Sequence, residues 1–343
     1  MSPDPIAERA RRRISLRVMP FVFLLYIVAF LDRVNVGYAA LQMTKDLGFS
    51  AEIFGFGAGI FFFGYVLLEI PGSVIVERWS ARKWIARIMV SWGILAIATA
   101  FVKTAPQFYW VRFLLGTAEA GFFPGLIVYL SHWFRYEDRA KAVALFMAGI
   151  PVSNLIGSPI SGLLLGVHWL NQPGWRWLFI VEGMPAIVLG VITWFYLTDW
   201  PREATWLPDD EKQWIIRELE TEKQQRKSVQ QYSMWEAMRH RDVLLLVGAY
   251  FFATVGFYGL NIWMPTLLKQ ASNWTDLKVT LVAMVPHLCG LVGMLAFGAS
   301  SDRTGERRWH AAGAMILGAA GYRSEEHRLN SSHVSESRMP SSA

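Results

Sequence analysis

The feature that most constrains this chain is a succession of long apolar blocks with few charges. They run near residues 18–41, 53–76, 84–102, 108–134, 142–170, 177–197, 243–268 and 279–299. Stretches of about 18 or more such residues are long enough to cross the roughly 30 Å hydrocarbon layer as helices. Only helices and closed barrels satisfy every backbone group in lipid, and blocks of this length exclude the short alternating strands of a barrel. With 53% hydrophobic and 17% charged residues, the chain has too little polar surface for a soluble domain of its size. The expected fold class is therefore an all-α membrane protein.

Arg9, Arg11, Arg12, Arg13 and Arg17 precede the first block, which is too long and too poorly bounded for a cleavable signal and is kept as a span. This places the N-terminus in the cytoplasm. Alternate short loops should then carry the Lys and Arg residues. Arg78, Arg82, Lys83 and Arg87 follow the second block, Arg135, Arg139 and Lys141 the fourth, and Arg303, Arg307 and Arg308 the eighth. Loops assigned outside carry only Lys45, Lys103, Arg176, Lys269 and Lys278. The net charge of +6 is explained by orientation and gives no reason to invoke nucleic acid. A single cysteine, Cys289, excludes an internal disulfide.

One long polar segment, 199–242, separates the sixth and seventh blocks. Its helical run from Asp209 to Lys227 begins acidic and ends basic, as suits the helix dipole, and a weak stripe of Trp214, Ile215 and Leu219 leaves a solvated connector favoured over a docked regulatory helix. Around it lies an internal repeat. Glu77-Arg78 through Arg82-Lys83-Trp84 and Asp302-Arg303 through Arg307-Arg308-Trp309 share the pattern acid-Arg, then two bases and Trp. The repeat unit is six spans long and parallel, as in two-halved transporters, so a complete protein would have twelve. Residues 1–198 form the N-terminal six-helix half, 199–242 a cytoplasmic linker, and 243–322 a partial C-terminal half, giving about eight to nine helices in this chain. The polar, Ser-rich stretch 323–343 reads as a foreign tail.

Charges inside the apolar layer cost several kcal/mol unless paired or wetted, so each is a functional candidate. Asp32 and Arg33 fall roughly 20 Å into the first span, and Arg112 and Glu119 share one face of the oppositely directed fourth. Two Arg and two carboxylates can thus meet in one cavity. A guanidinium keeps its charge and grips a carboxylate bidentately, which assigns Arg33 to an anionic substrate. Desolvation and a neighbouring Arg pull a buried carboxyl's proton affinity in opposite directions, which suits Asp32 and Glu119 as proton carriers, with Arg112 holding or releasing Glu119. The alternative is a pair of structural ion pairs locking helix to helix. Tyr65 offers a hydroxyl near mid-depth, and Glu69 lies one turn toward the cytoplasm, before Pro71 and Gly72. Asn154 and Asn261 suit interhelical polar glue, and His287 and Cys289 suit packing. The loop charges Glu77, Arg78, Arg82, Lys83, Asp302, Arg303, Arg307 and Arg308 suit gates at the membrane surface. Gly149, Ser153, Gly157 and Ser161 recur on one face of the fifth span and allow close helix approach. No metal-spaced His or Cys cluster and no phosphate-cradling loop occurs, so neither metal nor cofactor is expected.

Taken together, these motifs resemble the major facilitator superfamily and, within it, the anion:cation symporter branch. The two basic loops are similar to the superfamily's loop motif, and Arg112-Phe-Leu-Leu-Gly116-Thr-Ala-Glu119 to its span-four motif. Leu31-Asp32-Arg33-Val-Asn35-Val-Gly37, Gly121-Phe-Phe-Pro124-Gly and Trp175-Arg-Trp-Leu-Phe-Ile-Val-Glu182-Gly resemble the branch. The resemblance implies proton-driven uptake of organic acids such as sugar acids, tartrate or aromatic carboxylates by a monomer in a bacterial inner membrane. It implies the positions Asp32, Arg33, Tyr65, Arg112 and Glu119 as substrate and coupling residues; Arg33, Tyr65 and Asn35 are expected as substrate contacts and Asp32, Glu119 and Arg112 as coupling residues. Ser73 and Glu77 depart from the Gly and Asp that the superfamily prefers in that loop. Rival readings are a polytopic enzyme, which lacks its paired acids or His-Asp motif here, an exporter of the same fold, and a sensor that binds without moving its ligand.

Overall fold

The starts of the helices are written in single polar side chains. Ser50, Ser80, Thr104 and Thr275 each accept a hydrogen bond from the backbone N–H of Ile53, Lys83, Gln107 and Lys278 respectively. Each thereby satisfies one of the orphan donors of a helix N-terminus. In the computed structural model, which describes residues 5–227 and 234–321, the chain forms helices α1 Pro5–Leu47, α2 Ala51–Arg78, α3 Ala81–Thr99, α4 Ala105–Glu119, α5 Phe122–Trp133, α6 Tyr136–Met147, α7 Gly149–Leu165, α8 Gly174–Tyr196, α9 Asp209–Lys227, α10 Met234–Arg239, α11 Arg241–Gln270 and α12 Asp276–Thr304. Residues 308–321 are also helical. The stretch read as a foreign tail, 323–343, lies outside the described residues.

Among the described residues, seven helical segments are long and apolar enough to cross a membrane. The protein is thus an all-α, multi-pass membrane protein. The third block, basic at its start, is not one of the seven, but α3 lies along α8 with Gly93 against Gly183. The fourth block splits into α4 and α5 at Gly121, whose φ is +82°. A Cβ there would lie 2.9 Å from Gly72 Cα, so the break and the crossing of α2 both require glycine. The fifth block likewise divides into α6 and α7, while Leu170, placed at its end, belongs to a separate short turn.

α1 is the axis of the bundle, packing on α7, α8 and α11, while α12 packs on α7. The two halves touch where helices come closest. A Cβ on Gly37 would sit 2.9 Å from the Ile262 carbonyl oxygen, and one on Gly162 would collide with the Thr280 hydroxyl. Nearby, Asp276 accepts from Gln42 at 3.1 Å and pairs with Lys269 at 2.7 Å. These contacts lie toward the C-terminal ends of α1, α7 and α11, so the halves are joined at one membrane face. Toward the other face, Tyr250 and Phe251 of α11 are exposed.

The linker departs from the solvated connector expected of it. In α9, Trp214, Ile215 and the Glu211 carboxylate are buried. Glu211 faces Arg13 at 3.2 Å, Asp210 faces Arg9 at 3.1 Å, Glu218 faces Arg135 at 2.9 Å and Glu222 faces Arg139 at 3.2 Å. The short apolar stripe understated the docking because it counted hydrophobic residues alone, whereas here carboxylates on one helix meet guanidiniums on two others. The same pairing explains why α1 starts at Pro5, well before its apolar block. Replacing Trp214 by Ala should remove on the order of 3–5 kcal/mol of local packing and speed tryptic cleavage at Arg217 and Lys223 at least tenfold; unchanged cleavage would mean that α9 does not dock in solution.

Candidate functional site

Adjacent residues on a helix point about 100° apart, and α1 uses this to serve two places. Arg33 faces the seam between the halves, where it donates to the Tyr258 hydroxyl of α11 at 2.8 Å and pairs with the buried Glu119 at the end of α4. Its guanidinium also lies 5.1 Å from the Tyr65 ring centroid and 5.4 Å from that of Phe30. A cavity of about 450 Å³ opens beside it. Tyr26 and Phe30 of α1, Phe61, Phe62, Tyr65 and Glu69 of α2, Phe123 of α5, and Tyr250, Phe257 and Tyr258 of α11 line its wall. Glu69 brings the wall its carboxylate and Arg33 its guanidinium. An aromatic box with one guanidinium can hold a small anion whose remainder is apolar or flat.

Asp32 turns the other way, into the interior of the N-terminal half. There it accepts from the Trp92 indole of α3 and, at 3.0 Å, from the Asn35 amide one turn along α1. Glu182 of α8 lies beside this pair and accepts from Ser161 of α7 at 2.8 Å. Asn35, expected among the substrate contacts, therefore does not line the cavity in this conformation, because it shares the face of Asp32 and not that of Arg33.

The four charges expected to cluster do so, in a different pairing. Arg112 is buried within electrostatic reach of Asp32, Glu119 and Arg33, but Glu119 is held by Arg33. Arg112 instead lies 4.7 Å from the Phe61 ring centroid, with Nε and Nη1 unpartnered among the described residues. The seven-residue spacing of Arg112 and Glu119 gave their common face, but only the packing of α1 on α4 decides which guanidinium reaches the acid. Asn154 and Asn261 each donate to a carbonyl of their own helix, those of Ile150 and Phe257, rather than across to a neighbour. Cys289 is exposed rather than packed.

In the loops expected to act as gates, Glu77, Arg78, Asp302, Arg303, Arg307 and Arg308 are exposed, and Lys83 reaches toward Trp79 and Trp194. Arg82 is tied down by Asp199, which accepts from its backbone N–H at 2.8 Å and from Ser80 at 2.6 Å. Glu306 plays the matching part in the second loop, accepting from the N–H groups of Arg308 at 2.9 Å and Trp309 at 2.8 Å. Tyr258, Trp92 and Asp199 carried no motif of their own, and a Tyr or Trp in an apolar block gives no periodic signal that separates a site from a core.

The family model of the Major Facilitator Superfamily matches residues 22–322. The chain belongs to this superfamily. It is 47% identical over 317 residues to a protein of Agrobacterium vitis named for tartrate transport, an alignment covering 92% of this chain and 73% of the relative. It is 36% identical over 309 residues to a quinolone resistance transporter of Acinetobacter baumannii, covering 90% of this chain and 71% of that one. In structure it resembles a bacterial homolog of the human lysosomal transporter Spinster, with a TM-score of 0.66 and 19% identity, covering 88% of this chain and 64% of that chain. The superfamily and its fold are those of transporters, and the protein is not an enzyme.

Within this major facilitator fold, breaking the Arg33–Glu119 pair from one side leaves a buried charge alone, at a cost of about 3–5 kcal/mol. Arg33→Ala should therefore lower the detergent-solubilised protein's thermal midpoint more than Arg33→Ala with Glu119→Ala. A double variant as unstable as the sum of both singles would mean that the two groups do not interact.

Proposed function

We propose that the protein is a proton-coupled carrier that imports small organic anions across the bacterial inner membrane by alternating access, with its N-terminus in the cytoplasm. The observation that carries this reading is the position of Arg33, at once in the wall of the cavity between the halves and paired with the buried Glu119 behind that wall. A substrate carboxylate entering the cavity competes with Glu119 for one guanidinium. Protonating Glu119 removes the competitor and frees the planar fork for bidentate binding. A proton and an anion that enter together leave the charge of the buried cluster unchanged, so neither is taken up cheaply alone. Tyr65 and Tyr258 position the anion, and Arg112 keeps the field around Asp32 and Glu119 positive. The basic loops and the Asp199 tie limit motion at the cytoplasmic face, and residues 1–198 and 243–322 rock against each other about the linker.

The relative named for tartrate transport supports the carboxylate class. The aromatic walls and the quinolone resistance relative favour a second reading, outward movement of a flat cargo through the same cavity.

The test is uptake of labelled tartrate, sugar acids and aromatic carboxylates into proteoliposomes, with and without an inward proton gradient. Gradient-driven uptake of one acid, lowered at least tenfold by Arg33→Ala (about 1.4 kcal/mol or more), is expected. Glu119→Gln should keep exchange of that acid while losing the gradient's effect. Uptake indifferent to Arg33, or movement only outward from everted vesicles, would replace the importer by the exporter.

A further inference from the structure

The inner cluster contains an imbalance that the Arg33 cavity does not explain. Two of its buried oxygens, Glu182 Oε2 and Asn35 Oδ1, have no hydrogen-bond donor among the described residues. Both residues are more than nine-tenths buried, at 6% and 1% exposure. A buried acceptor left without a donor costs about 1–3 kcal/mol, and more if it is charged. Among the described residues, the groups facing Glu182 offer no cation to offset this. α1 contributes Asp32 and Tyr38 as titratable groups, with Asn35 between them. α7 contributes the Ser161 hydroxyl, already donating to Oε1, and α3 faces this part of α8 with Gly93, Ala96 and Ile97. Glu119 has Arg33 and Asp32 has Trp92 and Asn35; Glu182 has the Ser161 hydroxyl on Oε1 and the Asn35 side chain within reach. One proton relieves Oε2, because a protonated Oε2 becomes a donor, and the neighbouring Asn35 side chain carries the unpartnered acceptor that could receive it.

We propose that Glu182 is a buried proton-binding site, carrying a proton on Oε2 in this conformation and donating it to Asn35 Oδ1. During transport the charge state of Glu182 is coupled to that of Asp32 through Asn35, whose amide N–H donates to Asp32, with no proton passing through the amide itself. The proton comes from water, converts carboxylate to carboxylic acid and raises the cluster's charge by one; release reverses each change. The second statement rests on the proton-coupled reading above, whereas the first stands on the hydrogen-bond accounting alone.

Infrared difference spectroscopy of the full chain in lipid vesicles tests the first statement without requiring transport. At neutral pH the wild type should show a protonated-carboxyl C=O band that shifts in deuterium oxide. It should vanish in Glu182→Gln, persist in Asp32→Asn, and move to higher frequency in Ser161→Ala, which removes the hydrogen bond to Oε1. A wild type without the band overturns the proposal, as does a band that survives Glu182→Gln or disappears with Asp32→Asn. A sodium-dependent change in its place would assign the orphans to a metal cation and overturn it equally. Should Glu182→Gln fail to reconstitute, Ser161→Ala decides: a band that does not move excludes Glu182 as its source. In the uptake assay, Glu182→Gln should lower stimulation by the proton gradient at least tenfold and leave exchange intact. Wild-type stimulation in that variant removes Glu182 from the coupling route. An intact band in a wild type whose uptake ignores the gradient sinks the coupling reading and leaves the proton site standing.

Discussion

An ionic group buried at mid-membrane must find its counter-charge inside the protein, and the Arg33–Glu119 pair shows how much architecture that requirement controls. Glu119 ends α4 immediately before the Ala120–Gly121 break, and Arg33 reaches it from the middle of α1. Beside this pair, α4 lies so close to α2 that a Cβ on Gly116 would collide with the Phe61 carbonyl oxygen. The glycines of the fourth span, its broken helix and the Phe61 ring shared by Arg33 and Arg112 surround this pair, where opposite charges meet in a medium that cannot screen them.

The same helix separates two kinds of chemistry by rotation alone. Arg33 looks into a cavity bounded by both halves; Asp32, its neighbour, looks into the N-terminal half, where Trp92, Asn35 and Glu182 gather. The cavity guanidinium and the buried carboxyls thus sit back to back across one helix backbone. A shift of α1 against α11 changes the Tyr258 hydrogen bond to Arg33 directly and reaches Asp32 through the backbone they share. Because both groups belong to one rigid element, the two environments are coupled mechanically as well as by charge.

Much of this was legible in the sequence, for reasons that differ by element. The spans were legible because lipid tolerates few alternatives to an apolar helix, and the four buried charges because they violate that rule. Which partners those charges choose was not legible. Spacing places Arg112 and Glu119 on one face, but the distance between α1 and α4 depends on packing that no periodicity encodes. Asn35 shares the face of Asp32 and not that of Arg33, which the motif alone does not show. The docking of α9 was missed because its apolar stripe is short, and the guanidiniums that hold it, Arg9, Arg13, Arg135 and Arg139, come from two distant parts of the chain.

The tight crossings at Gly37 and Gly162 have a mechanical consequence. Both lie near one membrane face, so a tilt of one half against the other would pivot there. From Ile262, where α11 rests on Gly37, to the start of that helix at Arg241 is about 31 Å of rigid rod. A tilt that barely slides the glycine contact is multiplied along this arm into displacement of its far end, past the cavity wall formed by Tyr258, Phe257 and Tyr250. Bulk added at either glycine would move the pivot itself, altering the leverage of the whole half while leaving every cavity-lining side chain in place.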